Sequence, residues 1–149
     1  MTICFVSPSS SDFRMLAAEL DAYYFQLVGD IQNRYAEPNR PENMTALAVA
    51  YYEDAPIACG AWKRLDAATA ELKRLYVLPR FRRRGVAKRL IAALEADAAK
   101  AGIRRMILET AVDTADSHRL YLSAGYRITD YYGSPAGEEN CLCFYKEWQ

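Results

Sequence analysis

The residues best suited to chemistry lie in one continuous run, Glu71-Leu-Lys-Arg-Leu-Tyr-Val-Leu-Pro-Arg-Phe-Arg-Arg-Arg-Gly-Val-Ala-Lys-Arg-Leu90. Arg82, Arg83, Arg84 and Lys88 crowd positive charge around Gly85, where the apolar spacing of the following segment starts a helix. A helix N-terminus leaves backbone N–H groups unpaired and carries the positive end of the helix dipole. Gly85 lets backbone approach a ligand closely, and Ala87, beyond Val86, keeps the first turn slim. Loop, charge and helix start together make a cradle for a pyrophosphate. The run has neither the G-x-x-x-x-G-K-S/T of a P-loop nor the G-x-G-x-x-G of a dinucleotide turn, which argues against a nucleoside triphosphate or a nicotinamide dinucleotide.

The charge distribution along the chain agrees. Net charge is zero, yet residues 1–71 carry ten acids against five bases, while residues 72–94 carry eight bases and no acid. Such a segment wants an anionic partner. Nucleic acid is not expected, because Phe81 is the one aromatic interleaved with the bases from Arg80 to Arg89.

These residues need elements to hold them. Residues 3–6 form a short β-like run. Ser11 or Asp12 can cap a helix with Phe13, Leu16, Leu20, Tyr23, Tyr24 and Leu27 on its apolar positions, and Gly29 suits its end. Residues 31–45, with Pro38 and Pro41, read as a short helix or loop. Runs at 46–52, 57–65 and 70–77, separated by turns at 53–56 and 66–69, predict an antiparallel meander. Pro79 stops the third strand. Val86, Leu90, Leu94 and Ala98 recur every four residues in a helix over 85–101, ended by Gly102. A buried-type strand at 105–110 follows, then a helix from a cap at Asp113 to Ala124, ended by Gly125. Strands at 126–131 and 142–148, joined by a loop over 133–140, complete an α/β fold with a mixed sheet.

A chain of 149 residues, 52% hydrophobic and 26% charged, fits one globular domain over 1–149. No apolar run approaches a membrane span, and the start lacks the marks of a secretory signal, so a cytoplasmic setting is expected. Cys4, Cys59, Cys141 and Cys143 form no C-x-x-C pair, and the single histidine, His118, stands apart from them. A metal site is therefore not expected, and the cysteines read as reduced thiols packing as small apolar groups. His118 reads as a solvated helix residue.

The run and its context resemble the GNAT superfamily of acyl-CoA-dependent N-acetyltransferases. Arg82-Arg-Arg-Gly85-Val-Ala87 matches that family's R/Q-x-x-G-x-G/A signature, preceded by Leu75-Tyr76-Val77 and Pro79. A second block, Leu120-Tyr121-Leu-Ser-Ala-Gly125-Tyr126, follows in the right order. The resemblance, which covers about 46–148, implies a mostly antiparallel central sheet flanked by helices, and acetyl-CoA as cosubstrate. Arg82 through Lys88 (Arg82, Arg83, Arg84, Gly85, Val86, Ala87, Lys88) would hold the CoA pyrophosphate, mainly through backbone amides. Leu75, Tyr76 and Val77 would lie along the pantetheine arm, and one of their amides would polarise the thioester carbonyl. Tyr121 would offer its hydroxyl to the CoA sulfur. Thr114 stands where some members carry Asn.

Direct attack of an amine on a thioester needs a neutral amine, a stabilised oxyanion and a proton for the leaving thiolate. Glu71 and Glu109 are the candidate bases, directly or through water. The alternative for Glu71 is a pair with Lys73 or Arg64. The acceptor, a small-molecule amine or a peptide, would enter between the first helix and the 131–140 loop, with Tyr23, Tyr24 and Tyr132 as candidate lining. The acidic N-terminal half favours a cationic acceptor. A protein N-acetyltransferase and a non-catalytic acyl-CoA-binding module remain as alternatives, and a homodimer is possible.

Overall fold

The computed structural model describes residues 1–28, 39–111, 115–130 and 141–148. The elements are β1 (Thr2–Val6), α1 (Ser11–Val28), β2 (Ala46–Tyr52), β3 (Ala55–Arg64), β4 (Thr69–Val77), α2 (Val86–Lys100), β5 (Arg105–Ala111), α3 (Ala115–Ser123), β6 (Arg127–Thr129) and β7 (Cys141–Glu147). One-turn 3-10 helices occupy Pro41–Asn43 and Pro79–Phe81. The strands form one sheet in the order β1-β2-β3-β4-β5-β7-β6. Its neighbours are antiparallel except for β4 and β5. This is the expected α/β architecture with a mixed, mostly antiparallel sheet. The expected end of α1 at Gly29, the cap at Asp113, Thr114, Tyr132 and the 131–140 loop lie outside the described residues.

The central strands are buried on both faces, which is why residues 46–52 read as an apolar run rather than an alternation. Leu47 and Val49 meet Phe13, Leu16 and Leu20 of α1 on one face. Ala48 and Ala50 meet Leu90, Ile91 and Leu94 of α2 on the other. Each fully buried Leu or Ile contributes about 1.5–3 kcal/mol. An exposed ion pair such as Arg14–Glu42, both side chains about half exposed, is screened by water and contributes little. The two apolar layers, not surface charge, therefore hold the sandwich of helix, sheet and helix.

Local details differ from the sequence expectation in physically sensible ways. The cap of α1 is Ser10, whose Oγ accepts from the Phe13 N–H at 3.2 Å. Asp12 instead accepts a 2.6 Å hydrogen bond from the Tyr51 hydroxyl and ties α1 to β2. The β2–β3 turn is two residues long, with Glu53 and Asp54 both left-handed (φ 50° and 67°). That backbone matches the twist of the flanking strands, so β3 starts at Ala55, earlier than expected. The final short strand is three residues, Arg127–Thr129. Cys4 is exposed, while Cys59 and Cys143 are buried, and none of the three forms a disulfide.

Candidate active site

The site begins with an irregularity in β4. Cys59 pairs with Tyr76 and Ala61 with Lys73, so Arg74 and Leu75 together oppose Gly60. This is a β-bulge: one extra residue, locally broken pairing and a bend. Arg74 takes a left-handed φ of 58°. The bulge resets the alternation of side chains. Ala70 and Leu72 belong to the α2-side core, Arg74 turns toward α1, and Val77 returns to the α2 side while Tyr76 packs with α1.

β4 and β5 then part. They pair only from Thr69↔Arg105 to Glu71↔Ile107, although β4 runs on to Val77 and β5 to Ala111. The gap lets a cleft of about 1010 Å³ pass through the sheet. Leu20, Tyr23 and Tyr24 reach it from α1 on one face. Leu75, Tyr76 and Val77 supply its β4 side, where the strand edge beyond Glu71 has no β5 partner. Leu120, Tyr121 and Ser123 close it from α3.

The cleft ends against the start of α2, where Arg82, Arg83, Gly85, Val86, Ala87 and Lys88 line it. Gly85 is the N-cap, left-handed at φ 79°, and as a glycine it has no side chain to cap the first-turn amides. Those amides and the helix dipole present positive potential to whatever lies there. Arg83 is left-handed too (φ 64°). Arg82 folds back: its Nε donates to the Val77 carbonyl at 2.9 Å, and its guanidinium lies 5.4 Å from the Tyr76 ring centroid. It braces loop against strand. Arg84 sits over Phe81 and does not line the cleft.

Tyr121 is fixed by the end of its own helix. The Tyr126 N–H donates to the Tyr121 carbonyl at 3.0 Å and the Gly125 N–H to the Leu122 carbonyl at 3.1 Å, with Gly125 left-handed at φ 96°. This double closure is a Schellman motif, and the same motif ends α2 at Gly102. It explains the spacing of the Leu-Tyr-x-x-x-Gly-Tyr block: one tyrosine carbonyl is the acceptor, and the second tyrosine supplies the donor. The Tyr121 ring packs edge-on to Tyr126 and tilted on Phe144. Burial first, then the nearby Tyr24, pushes its phenol above the usual tyrosine range. It is a protonated hydroxyl at neutral pH. Burial and the charge of Glu19 raise Tyr76 as well.

The two candidate bases do not join this group. Glu71 pairs with Lys73 at 3.5 Å, and Glu109 stands opposite Cys143 in the β5–β7 ladder. Neither lines the cleft. His118 packs its ring against Phe144 rather than standing in solvent. Lining residues with no role at the site assigned from sequence are Leu20, Phe81, Asp116, Ser117, Arg119, Leu120 and Ser123. Leu20 carried a signal only as a core position of α1. Asp116 and Arg119 form an ion pair on α3. Among the described residues there is no cluster of ligating side chains that could hold a metal ion, and no helix is long and apolar enough to cross a membrane.

Comparison with known proteins converges on one family. Residues 13–126 match the acetyltransferase (GNAT) family. The chain is 30% identical to an IAA acetyltransferase of Azospirillum brasilense, over 97% of this chain and 95% of the relative. It is 37% identical over 59 residues to an aminoglycoside N(6')-acetyltransferase type 1 of Salmonella typhimurium, covering 40% of this chain and 41% of that one. The crystal structure of a GNAT family acetyltransferase from Elizabethkingia anophelis with acetyl-CoA bound shares the fold, with a TM-score of 0.71 at 19% identity over 99% of this chain and 97% of that one.

Proposed function

The chain belongs to the GNAT acetyltransferases, acyl-CoA-dependent N-acyltransferases, and from that premise we propose that it moves an acetyl group from acetyl-CoA to the primary amine of a small molecule. The observation that carries this reading is the cleft through the parted β4 and β5 strands, with the uncapped start of α2 at one end and Tyr121 beside it.

In this reading the pyrophosphate meets the amides from Arg83 to Lys88, and Lys88 adds charge. The thioester arm runs along Leu75–Val77 like an added strand, because β5 leaves that edge beyond Glu71. An amide at the bulge donates to the carbonyl oxygen as it becomes an oxyanion. The amine nitrogen attacks the carbonyl carbon and the C–N bond forms. The C–S bond then breaks, and Tyr121 gives its proton to the departing thiolate. The amine's proton leaves through water, with Glu71, at the fork where the strands part, as its eventual acceptor. Residues 1–149 work as one domain, in the cytoplasm.

A small-molecule acceptor is supported by the relatives named above and by the apolar and phenolic wall that Leu20, Tyr23 and Tyr24 turn to the cleft. Calorimetry with CoA and acetyl-CoA, followed by mass-spectrometric detection of CoA release with added amines, tests the reading. Binding with amine-dependent release is expected. Binding without release leaves an acyl-CoA-binding module. No uptake at millimolar CoA removes the proposal.

A further inference from the structure

Arg74 is the one charged residue buried in the core among the described residues, with its side chain 4% exposed. It sits at the bulge itself and is held at both ends. Its carbonyl accepts from the Cys59 thiol at 3.3 Å. Its Nη2 donates to the Ala17 carbonyl at 3.0 Å and to Asp21 Oδ1 at 2.6 Å. Ala17 and Asp21 lie one turn apart on α1, and the cleft residues Leu20 and Tyr24 extend from the same stretch of helix.

A left-handed conformation at a non-glycine residue costs about 1–2 kcal/mol, so three anchors on this residue hold a backbone that would otherwise relax. The bulge bends β4 where Leu75, Tyr76 and Val77 line the cleft, and α1 carries the opposite wall. One guanidinium nitrogen joins the two.

We propose that Arg74 is a positioning residue for acetyl transfer: through Ala17 and Asp21 it locks α1 to the β4 bulge and sets how the bulge amides meet the thioester carbonyl. This rests on the reading that acetyl-CoA occupies the cleft. It adds a requirement that pyrophosphate binding does not share, because the α2 cradle makes no contact with the Arg74 side chain among its hydrogen bonds.

The test needs no knowledge of the acceptor. Acetyl-CoA labelled with carbon-13 at the carbonyl is bound to the wild-type protein and to Asp21→Asn, Arg74→Lys and Arg74→Met, and the carbonyl resonance is compared with that of free acetyl-CoA. Calorimetry with CoA runs in parallel. Asp21 is half exposed, so Asp21→Asn folds even if Arg74→Met does not. The wild type should show a polarised, displaced carbonyl resonance. Asp21→Asn should lose roughly half of that displacement while CoA affinity changes by less than about twofold. Arg74→Met should lose most of it, and Arg74→Lys should retain more than Arg74→Met. A wild-type carbonyl position in Asp21→Asn and in every folded Arg74 variant would overturn the proposal. So would a fall in CoA affinity parallel to the loss of displacement, since the lock would then support the whole cleft. If the wild type takes up no acetyl-CoA, the parent reading fails instead.

Discussion

Tyr121 and Tyr51 are both phenols held above their ordinary range, for different reasons, and they predict different behaviour. Burial holds the Tyr121 hydroxyl protonated beside the cleft, which suits a proton donor to a departing thiolate. Tyr121→Phe keeps the ring packing on Tyr126 and Phe144 and removes only the hydroxyl. Turnover should fall roughly a hundredfold or more, while CoA affinity measured by calorimetry stays near wild type. Equal turnover would take the acid role from Tyr121. Tyr51 is pushed up to about 12, chiefly because its hydroxyl donates to Asp12, with burial second. An unfolded tyrosine ionises near its ordinary value of 10.0. Above that pH the unfolded chain loses the proton while the folded one keeps it, so the unfolded state gains. The contribution of this bond is complete below pH 10 and fades as pH climbs toward 12. Denaturation of wild type and Tyr51→Phe should therefore differ at pH 8 and converge in strong alkali. A constant difference across the range would show that Tyr51 acts by packing alone.

Elements decide what single residues can do, and two glycines show it. Gly125 closes the Schellman motif that holds Tyr121, at φ 96°, with the Lys146 side chain 3.3 Å from where a Cβ would stand. Gly125→Ala should destabilise the fold by about 1–2 kcal/mol, read as a lower Tm, and should slow turnover by displacing Tyr121. Gly85 has open space around it, so Gly85→Ala costs backbone strain without a clash. Its main effect should be weaker CoA binding, by roughly five- to tenfold, and calorimetry showing unchanged affinity would separate the α2 start from the site. Both positions are legible in the sequence because their constraints are local: a helix start and a helix end, each set by spacing within a few residues. Arg74 is not. Its left-handed backbone has no Gly, Asn or Asp to announce it, and the bulge exists only through the register of β4 against β3. That Glu71 and Glu109 stand off the cleft wall is illegible for the same reason. Whether a strand side chain faces the gap depends on where β4 and β5 part, and that is a property of the pair.

At the scale of the whole molecule, the sequence supports the element order and the antiparallel meander, since β2 is a continuous apolar run and apolar periodicity is strong in α2. It does not reveal that the cleft passes through the sheet, which brings Leu20 and Tyr24 from one face to Tyr121 on the other. That passage gives the uneven charge a spatial meaning. Of the eight bases of residues 72–94, Arg82, Arg83 and Lys88 line the α2 end of the cleft. The acids of residues 1–71 are partly committed elsewhere: Asp12 to Tyr51, Asp21 to Arg74, Glu42 to Arg14, and Asp66 to the Ala68 and Thr69 amides. Glu19 still acts on the cleft, where its charge helps to raise the Tyr76 phenol. The α1 side is thus mildly negative where the α2 side is strongly positive. An acceptor carrying a second cationic group should show a higher kcat/KM than a neutral amine of similar shape, and an anionic one a lower value. Because the charges are near the surface, the margin should shrink between about 0.05 and 0.5 M salt, as screening shortens to a few ångströms. CoA affinity should weaken over the same range. Steady-state rates on cationic, neutral and anionic amines at the two salt concentrations measure both effects. A preference for anionic acceptors, or a cationic preference untouched by salt, would place selectivity in shape rather than in field.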